Sequence, residues 1–327
     1  MPYKVVIADA SFHSYAYEKN VLEPIGAEVI LGQTTNDNQR IEVCKNADAI
    51  LLERGPFGRN VIEKLQQCKV MVRYGVGFNE IDVVAATEKG IVVSNVPDYC
   101  VEEVADHALA MLLALARRLI PAHNASVNDL KDWTYRPFKP VERLRDQTVG
   151  LIGMGRIGQT FVQRIAALGL KVICYDPYIS QKHIDGLSVD IVNLDELLAN
   201  SDFISVHAPL TEETHHLLST SEFNGMKSTA YLINCARGSV IDQEALTTAL
   251  ESGQIAGAGL DVLEEEPPPT DVRERLLKLH NVIITPHIGW YSEQAMIDRQ
   301  IKAAQTVATV LQGGRPSSVV NPEVYTS

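Results

Sequence analysis

Sulfur, positive charge and long apolar runs are all scarce in this sequence of 327 residues, and each scarcity excludes something. The five cysteines, Cys44, Cys68, Cys100, Cys174 and Cys235, are scattered, odd in number and without metal-ligand spacing. They argue against a disulfide framework or a zinc site, so reduced thiols in a cytoplasm and no bound metal are the expectation. Twenty-nine Lys and Arg stand against 41 Asp and Glu, a formal net charge of -12. Bulk charge therefore draws the chain to neither nucleic acid nor an anionic membrane. The longest uncharged apolar stretch, residues 108–116, is about half of what a bilayer span needs and reads as a buried helix. The N-terminus enters Lys4-Val5-Val6-Ile7-Ala8 directly, without the basic, apolar and cleavage-site succession of a secretory signal. No internal repeat is present, and Glu264-Glu265-Glu266-Pro267-Pro268-Pro269 is the one biased run.

What is there is ordinary for a folded protein: 46% hydrophobic and 21% charged residues. The length favours two domains, each able to bury a core. Short β-branched runs alternate with helical patterns, which predicts an α/β fold with parallel sheets and crossover helices. In the first hundred residues the expected strands are 5–8, 49–52, 70–73 and 91–94, with a helix over 61–67. A long helix is expected over 101–119, with Glu102 and Glu103 in its first turn, Arg117 and Arg118 in its last, and Pro121 ending it. Six doubly wound strands are expected at 149–152, 172–175, 203–206, 231–234, 256–260 and 282–285. A final helix over 292–311, stopped by Gly313-Gly314, is expected to return to the first domain.

Residues Val149-Gly150-Leu151-Ile152-Gly153-Met154-Gly155-Arg156-Ile157-Gly158 form a strand running into Gly-x-Gly-x-x-Gly and a helix. Gly153 suits the tight turn, Gly155 the approach of backbone to pyrophosphate, and Gly158 close helix packing. The helix N-terminus offers unpaired N–H groups to the phosphates. Asp176, at the end of the next strand, suits both ribose hydroxyls and would repel a 2′-phosphate, so NAD is expected over NADP. The alternatives are a glycine turn that binds nothing and a site for another adenosine cofactor such as S-adenosylmethionine. Arg156 reads as a solvated residue or a pyrophosphate contact, and its place inside the loop favours the contact.

Hydride chemistry on a carbonyl needs a proton donor, a cation for the substrate, and a group that holds the donor's charge state. Of nine histidines, His287 in Val282-Ile283-Ile284-Thr285-Pro286-His287 lies just past a buried strand, where ligands of open α/β sheets sit. Arg237 likewise follows a strand, and its planar cation suits a carboxylate. A carboxylate in Glu264-Glu265-Glu266 suits the imidazole, without the residues alone deciding which.

With these residues in hand the chain resembles the D-isomer-specific 2-hydroxyacid dehydrogenase family over nearly its whole length. Four blocks carry the likeness: Val72-Arg73-Tyr74-Gly75-Val76-Gly77-Phe78-Asn79, the glycine loop with Asp176-Pro177-Tyr178, Asn234-Cys235-Ala236-Arg237-Gly238, and Asp261-Val262 through Glu266-Pro267 to Pro286-His287. The resemblance implies that Arg237 binds the substrate carboxylate and carbonyl, that His287 is the acid/base, and that Glu266 pairs with it. It implies that the Gly75-Val76-Gly77 amides hold the substrate carboxylate, with Arg73 and Trp290 as further substrate contacts. Cofactor contacts carried over are Val76, Ile157, Pro209, Thr214, Cys235, Ala236 and Asp261, with His207 flanking the cofactor. Within the family, His287-Ile288-Gly289-Trp290-Tyr291-Ser292-Glu293-Gln294 is most similar to the C-terminal-binding protein branch, and phosphoglycerate dehydrogenases are another relative. Trp290 points to an apolar keto-acid side chain, and Arg54 with Arg73 to a phosphorylated one.

The resemblance further implies two Rossmann-like doubly wound domains, with a cofactor domain (99–290) inserted into a discontinuous flavodoxin-like substrate domain (1–98 and 291–327). Hinges fall near Pro97-Asp98 and Trp290-Tyr291, with closure excluding water from the hydride. The expected activity is NAD-dependent reduction of a 2-keto acid or oxidation of a D-2-hydroxy acid by a cytoplasmic homodimer. The alternative is an NAD(H)-responsive binding module like the corepressor relatives.

Overall fold

Among the described residues two all-parallel sheets organise the chain, one of five strands and one of seven. The computed structural model describes residues 2–10, 12–128 and 133–326. Its contacts divide the chain into two units, Met1–Cys100 with Tyr291–Ser327, and Val101–Trp290.

In the first unit the strands are β1 (Tyr3–Ile7), β2 (Ala27–Leu31), β3 (Ala49–Leu52), β4 (Val70–Arg73) and β5 (Val92–Ser94), in the order β2-β1-β3-β4-β5. This is the flavodoxin-like order, whose switch point lies between β1 and β3. There the Asp9 carboxylate accepts the backbone N–H groups of Glu53 and Arg54 at 2.7 and 3.0 Å, and that of Gly55 as well. The C-terminal helix Glu293–Leu311 returns to this unit, capped by Ser292, whose hydroxyl accepts the Ala295 N–H. Its Gln300 donates to buried Glu18 at 3.0 Å, and its Arg299 meets Glu53 at 3.0 Å. The Tyr74 hydroxyl donates to the same Glu18 at 2.8 Å, so the residue before the Gly75 turn is tied to this helix by a shared carboxylate.

The second unit contains β6 (Thr148–Ile152), β7 (Lys171–Tyr175), β8 (Asp190–Ile191), β9 (Phe203–Val206), β10 (Tyr231–Asn234), β11 (Gly257–Leu260) and β12 (Val282–Ile284). Their order is β12-β11-β10-β9-β6-β7-β8, doubly wound with the switch between β6 and β9. Strands β9 and β11 are buried at every position, as expected where helices cover both faces.

Four expectations need correction. The β2 strand was not anticipated; its burial is broken, as befits an edge. The two-residue β8 makes seven strands of the expected six. The helix expected over 61–67 is one turn, Arg59–Ile62. The helix expected over 101–119 stops at Ala116, and a separate helix, Leu119–Val127, follows. Between them Arg118 is left-handed at φ 52°, with its guanidinium 5.7 Å from the centre of the Tyr231 ring. Pro121 lies in the first turn of the second helix, where a missing N–H costs little, and does not end the first. No helix among the described residues is long and apolar enough to cross a membrane.

Candidate active site

The β6 strand delivers its chain into the glycine loop at the switch point. Gly153 sits at φ 93°, and a Cβ there would come within 2.7 Å of the Ala208 nitrogen. A Cβ on Gly158 would lie 2.6 Å from the Gly153 carbonyl oxygen, so the helix Arg156–Ile165 starts against the loop only with glycine at this position. Gly155 caps that helix, is exposed, and has nothing within 4 Å of its missing Cβ. An open approach to a ten-residue helix's N-terminus fits a pyrophosphate. Asp176 completes the cradle: one carboxylate oxygen accepts the Met154 N–H at 2.9 Å, the other that of Tyr178 at 3.0 Å. A carboxylate has about four acceptor directions, so these bonds fix its orientation and leave capacity for two ribose hydroxyls.

Across the switch point, His207 donates its backbone N–H to Ile152 and holds its ring nitrogen 2.9 Å from the Ser205 hydroxyl. The ring is desolvated against Phe161, although part of the residue stays accessible, and this burial lowers its pKa to about 4. His207 is therefore neutral at neutral pH and a weak base. Pro209 and Thr214 close the following loop, the threonine hydroxyl donating to the Pro209 carbonyl at 2.6 Å. Arg156 is exposed at the loop mouth and Ile157 half-buried behind it.

Arg237, Glu266 and His287 follow the neighbouring strands β10, β11 and β12, whose order places them at one end of the sheet. A Cβ on Gly238 would lie 1.9 Å from the Leu263 carbonyl oxygen, so the loops after β10 and β11 touch backbone to backbone. Arg237 is thereby held beside the Glu264–Glu266 run, with one guanidinium nitrogen donating to the Ala236 carbonyl at 2.7 Å. The Ala236 N–H donates to the buried Asn234 side chain at 3.0 Å. Of the three adjacent glutamates it is Glu266 that reaches the imidazole, at 2.6 Å from His287 Nδ1. Its other oxygen accepts the Leu263 N–H at 3.0 Å. Burial works to raise the Glu266 carboxyl, but the hydrogen bond and charge of His287, together with the Leu263 N–H and the Arg237 charge, outweigh it and hold the group below the ordinary glutamate range. An ionised carboxylate at Nδ1 places the proton there, which leaves Nε2 to exchange a proton with a ligand.

His287 is itself left-handed at φ 55°, a backbone state that needs outside support in a residue with a Cβ. Asp261, 3% exposed, provides it. Its carbonyl oxygen accepts the His287 N–H at 2.8 Å. Its carboxylate accepts Thr285 Oγ1 at 2.5 Å, Ile288 N–H at 2.9 Å and Gly289 N–H at 2.8 Å. His107 on the helix Val101–Ala116 shares Thr285 at 2.9 Å. Asp261 was expected as a cofactor contact, and in the structure its side chain first orders the turn that carries the imidazole. Thr285 and His107 were not singled out from the sequence, since a helical His far from the motif carries no local signal. Cys235 is buried beside Met111 with its thiol pKa pushed well up, hence neutral. Trp290 is half-buried, three residues after His287.

In the first unit the Gly75 N–H donates to the Arg73 carbonyl at 2.8 Å, and the Gly75 and Val76 carbonyls accept Val96 N–H and Asn95 Nδ2. The Val76 and Gly77 amides are the two of the turn that have no partner among the described residues. Arg73 pairs with Glu80 at 3.4 Å and donates to the Tyr74 carbonyl.

A family described as "D-isomer specific 2-hydroxyacid dehydrogenase, NAD binding domain" matches residues 109–289. The chain is 41% identical over 321 residues to D-3-phosphoglycerate dehydrogenase of Methanocaldococcus jannaschii, covering 97% of this chain and 59% of that protein. It thus spans little more than half the length of that relative. It is 38% identical over 286 residues to glyoxylate reductase of Korarchaeum cryptofilum, covering 87% and 86% of the two chains. The NAD complex of a D-isomer specific 2-hydroxyacid dehydrogenase from Lactobacillus delbrueckii superposes with a TM-score of 0.82 at 29% identity, covering 97% of this chain and 100% of that one.

Proposed function

Because the chain belongs to the D-isomer-specific 2-hydroxyacid dehydrogenase family, we propose that it reduces a small 2-keto acid, or oxidises the D-2-hydroxy acid, with NAD. The observation that carries this reading is the 2.6 Å pairing of His287 with Glu266 on strand ends adjoining that of Arg237. The bound nicotinamide cofactor would supply or accept the hydride; every other task falls to this chain. Arg237 binds the substrate carboxylate and polarises its carbonyl, stabilising charge as it develops on oxygen. His287 delivers a proton from Nε2 to that oxygen in reduction and removes it in oxidation. Glu266 stabilises the imidazolium and fixes the ring, and Asp261 fixes the backbone beneath it. Further substrate contacts are assigned to Arg73, to the Val76 and Gly77 amides, and to Trp290. Cofactor contacts are assigned to the Gly153–Gly158 loop, Asp176, the loop from His207 through Pro209 to Thr214, Cys235 and Ala236. None of the relatives described above is a corepressor, and no observation favours the binding-module reading.

The test is NADH oxidation by the purified protein across glyoxylate, pyruvate, branched and aromatic 2-keto acids and a phosphorylated one, with NADPH in parallel. The reading expects turnover with at least one of them and a preference for NADH, as the Asp176 carboxylate implies. Tight NADH binding without turnover on any member would overturn it. Homodimerisation is assigned to the second unit, where Leu119, Ile120, Val127, Trp133 and Tyr135 expose between 44% and 84% of their surface. Light scattering decides this: a dimer supports the assignment, a monomer rejects it.

A further inference from the structure

A second set of polar side chains converges in the same unit. His215 and His216 lie in the loop after β9, and Glu264 lies in the loop after β11. One ligand-type atom from each lies within 4.8 Å of the other two. His216 Nε2 is 2.6 Å from Glu264 Oε1, and the rings of His215 and His216 stack with centroids 4.1 Å apart.

The backbones beneath these side chains are pinned independently. The His215 N–H donates to Thr211 O at 2.9 Å and the His216 N–H to Ser239 O at 2.8 Å. His216 is held left-handed at φ 51°, a state that turns its ring toward Glu264 at a cost in backbone energy. Glu264 is placed by the close approach of Gly238 to Leu263 and Glu264, and its second oxygen accepts the Gln243 N–H at 3.3 Å. A plain imidazole–carboxylate bond uses two of these groups and gives the third no part.

We propose that His215, His216 and Glu264 bind one divalent transition cation of the zinc class, with two imidazole nitrogens, one carboxylate oxygen and water. Zinc bonds of about 2.0–2.2 Å set tetrahedral ligand atoms roughly 3.3–3.6 Å apart. Occupation therefore opens the His216–Glu264 pair by under about 1 Å as the metal replaces its proton, and draws the exposed His215 ring inward by about 1 Å. Mixed nitrogen and oxygen donors of this kind favour zinc, cobalt, nickel or copper, whereas magnesium and calcium want more oxygens than the site has. The bound ion ties the loop of Pro209 and Thr214 to the segment that ends at Glu266. It takes no part in the reaction itself. The cysteine spacing that argued against zinc in the sequence does not bear on it, because Glu264 lies 48 positions from His216 and none of the three ligands is a thiol.

The test is calorimetric titration of the full-length, tag-free protein, stripped with chelator, with zinc chloride, and separately with magnesium chloride. The site predicts one saturable zinc per chain and no saturable magnesium. His215→Ala and His216→Asn should each weaken zinc about tenfold or more, and His123→Ala, an exposed histidine elsewhere, should leave it unchanged. His215 is exposed, and asparagine tolerates the left-handed backbone at 216, so both variants are expected to fold. Cobalt absorption gives a second readout, with a tetrahedral d–d band in the wild type that is lost in His215→Ala. Absence of saturable zinc in the wild type, or unaltered binding in the His215→Ala/His216→Asn double variant, overturns the proposal.

Discussion

Asp261 and His287 are joined backbone to backbone, the carbonyl of the first accepting the N–H of the second at 2.8 Å, while the Asp261 carboxylate grips the two residues that follow. The imidazole is thus presented from a left-handed residue whose conformation is set by a buried acid at the end of the adjacent strand. Replacing the acid by Asn keeps its size but turns one acceptor into a donor facing amide N–H groups. Asp261→Asn should lower kcat about 10- to 100-fold and lose stability in urea. Wild-type kcat in this variant would show that the turn is organised by other groups.

Glu266→Gln is expected to act differently, because its amide oxygen can still accept the Leu263 N–H and the turn held by Asp261 is untouched. The amide still reaches Nδ1 but carries no charge to support an imidazolium, so kcat should fall about 10- to 100-fold with NADH affinity intact. Steady-state kinetics and a fluorescence titration of NADH separate the two effects. Equal losses in both would remove Glu266 from the proton's path.

Gly238→Ala tests the contact that places Arg237. Its Cβ would fall 1.9 Å from a backbone oxygen, so the loops must part. A stability loss of about 1–3 kcal/mol is expected, with kcat/KM for the keto acid reduced more than NADH affinity. An alanine variant as stable and active as the parent would mean the two loops are free to separate.

Asp176 bears on cofactor choice. Its two oxygens anchor the glycine loop and the Tyr178 turn. Loss of charge-assisted hydrogen bonds of about 1.5–3 kcal/mol in Asp176→Ala should raise the NADH Kd roughly tenfold or more and narrow the preference over NADPH. Unchanged discrimination would assign the preference elsewhere.

His207 makes the fold sensitive to acid. Its pKa is about 4 in the fold against about 6.5 for a free imidazole, so between these limits the unfolded chain binds the extra proton. Stability then rises with pH: this contribution is whole above about pH 6.5 and is lost as pH falls toward 4, amounting to at most about 3 kcal/mol. Urea denaturation at pH 7 and pH 4.5 should show a smaller pH effect in His207→Gln than in the wild type. Identical slopes would contradict the burial of this ring.

The parts of the fold that sequence patterns reveal are those written in contiguous residues. The Gly153–Gly158 loop sits between a β-branched strand and an amphipathic helix, and Asp176 follows at the next strand end, so spacing alone locates them. Of the three adjacent glutamates, residue type could not choose one; the geometry chooses Glu266, because Glu264 is engaged by His216 and Gln243. The break at Arg118 was not placed because Pro121 reads equally as the end of one helix or the first turn of the next, and the ring beside Arg118, Tyr231, is over a hundred positions away. The two residues of β8 are too few to form a pattern. Asp261 as the support of the His287 turn arises from the pairing of β11 with β12, and His215 with His216 opposite Glu264 from the approach of two loops; one-dimensional spacing records neither.

The central claim, that His287 carries the proton while the glycine loop holds the cofactor, is tested most directly in His287→Ala by measuring NADH affinity and turnover on the same preparation. The account predicts a Kd for NADH within about twofold of the wild type and a kcat lower by about 10²- to 10⁴-fold. Retained turnover on the best keto acid would contradict it.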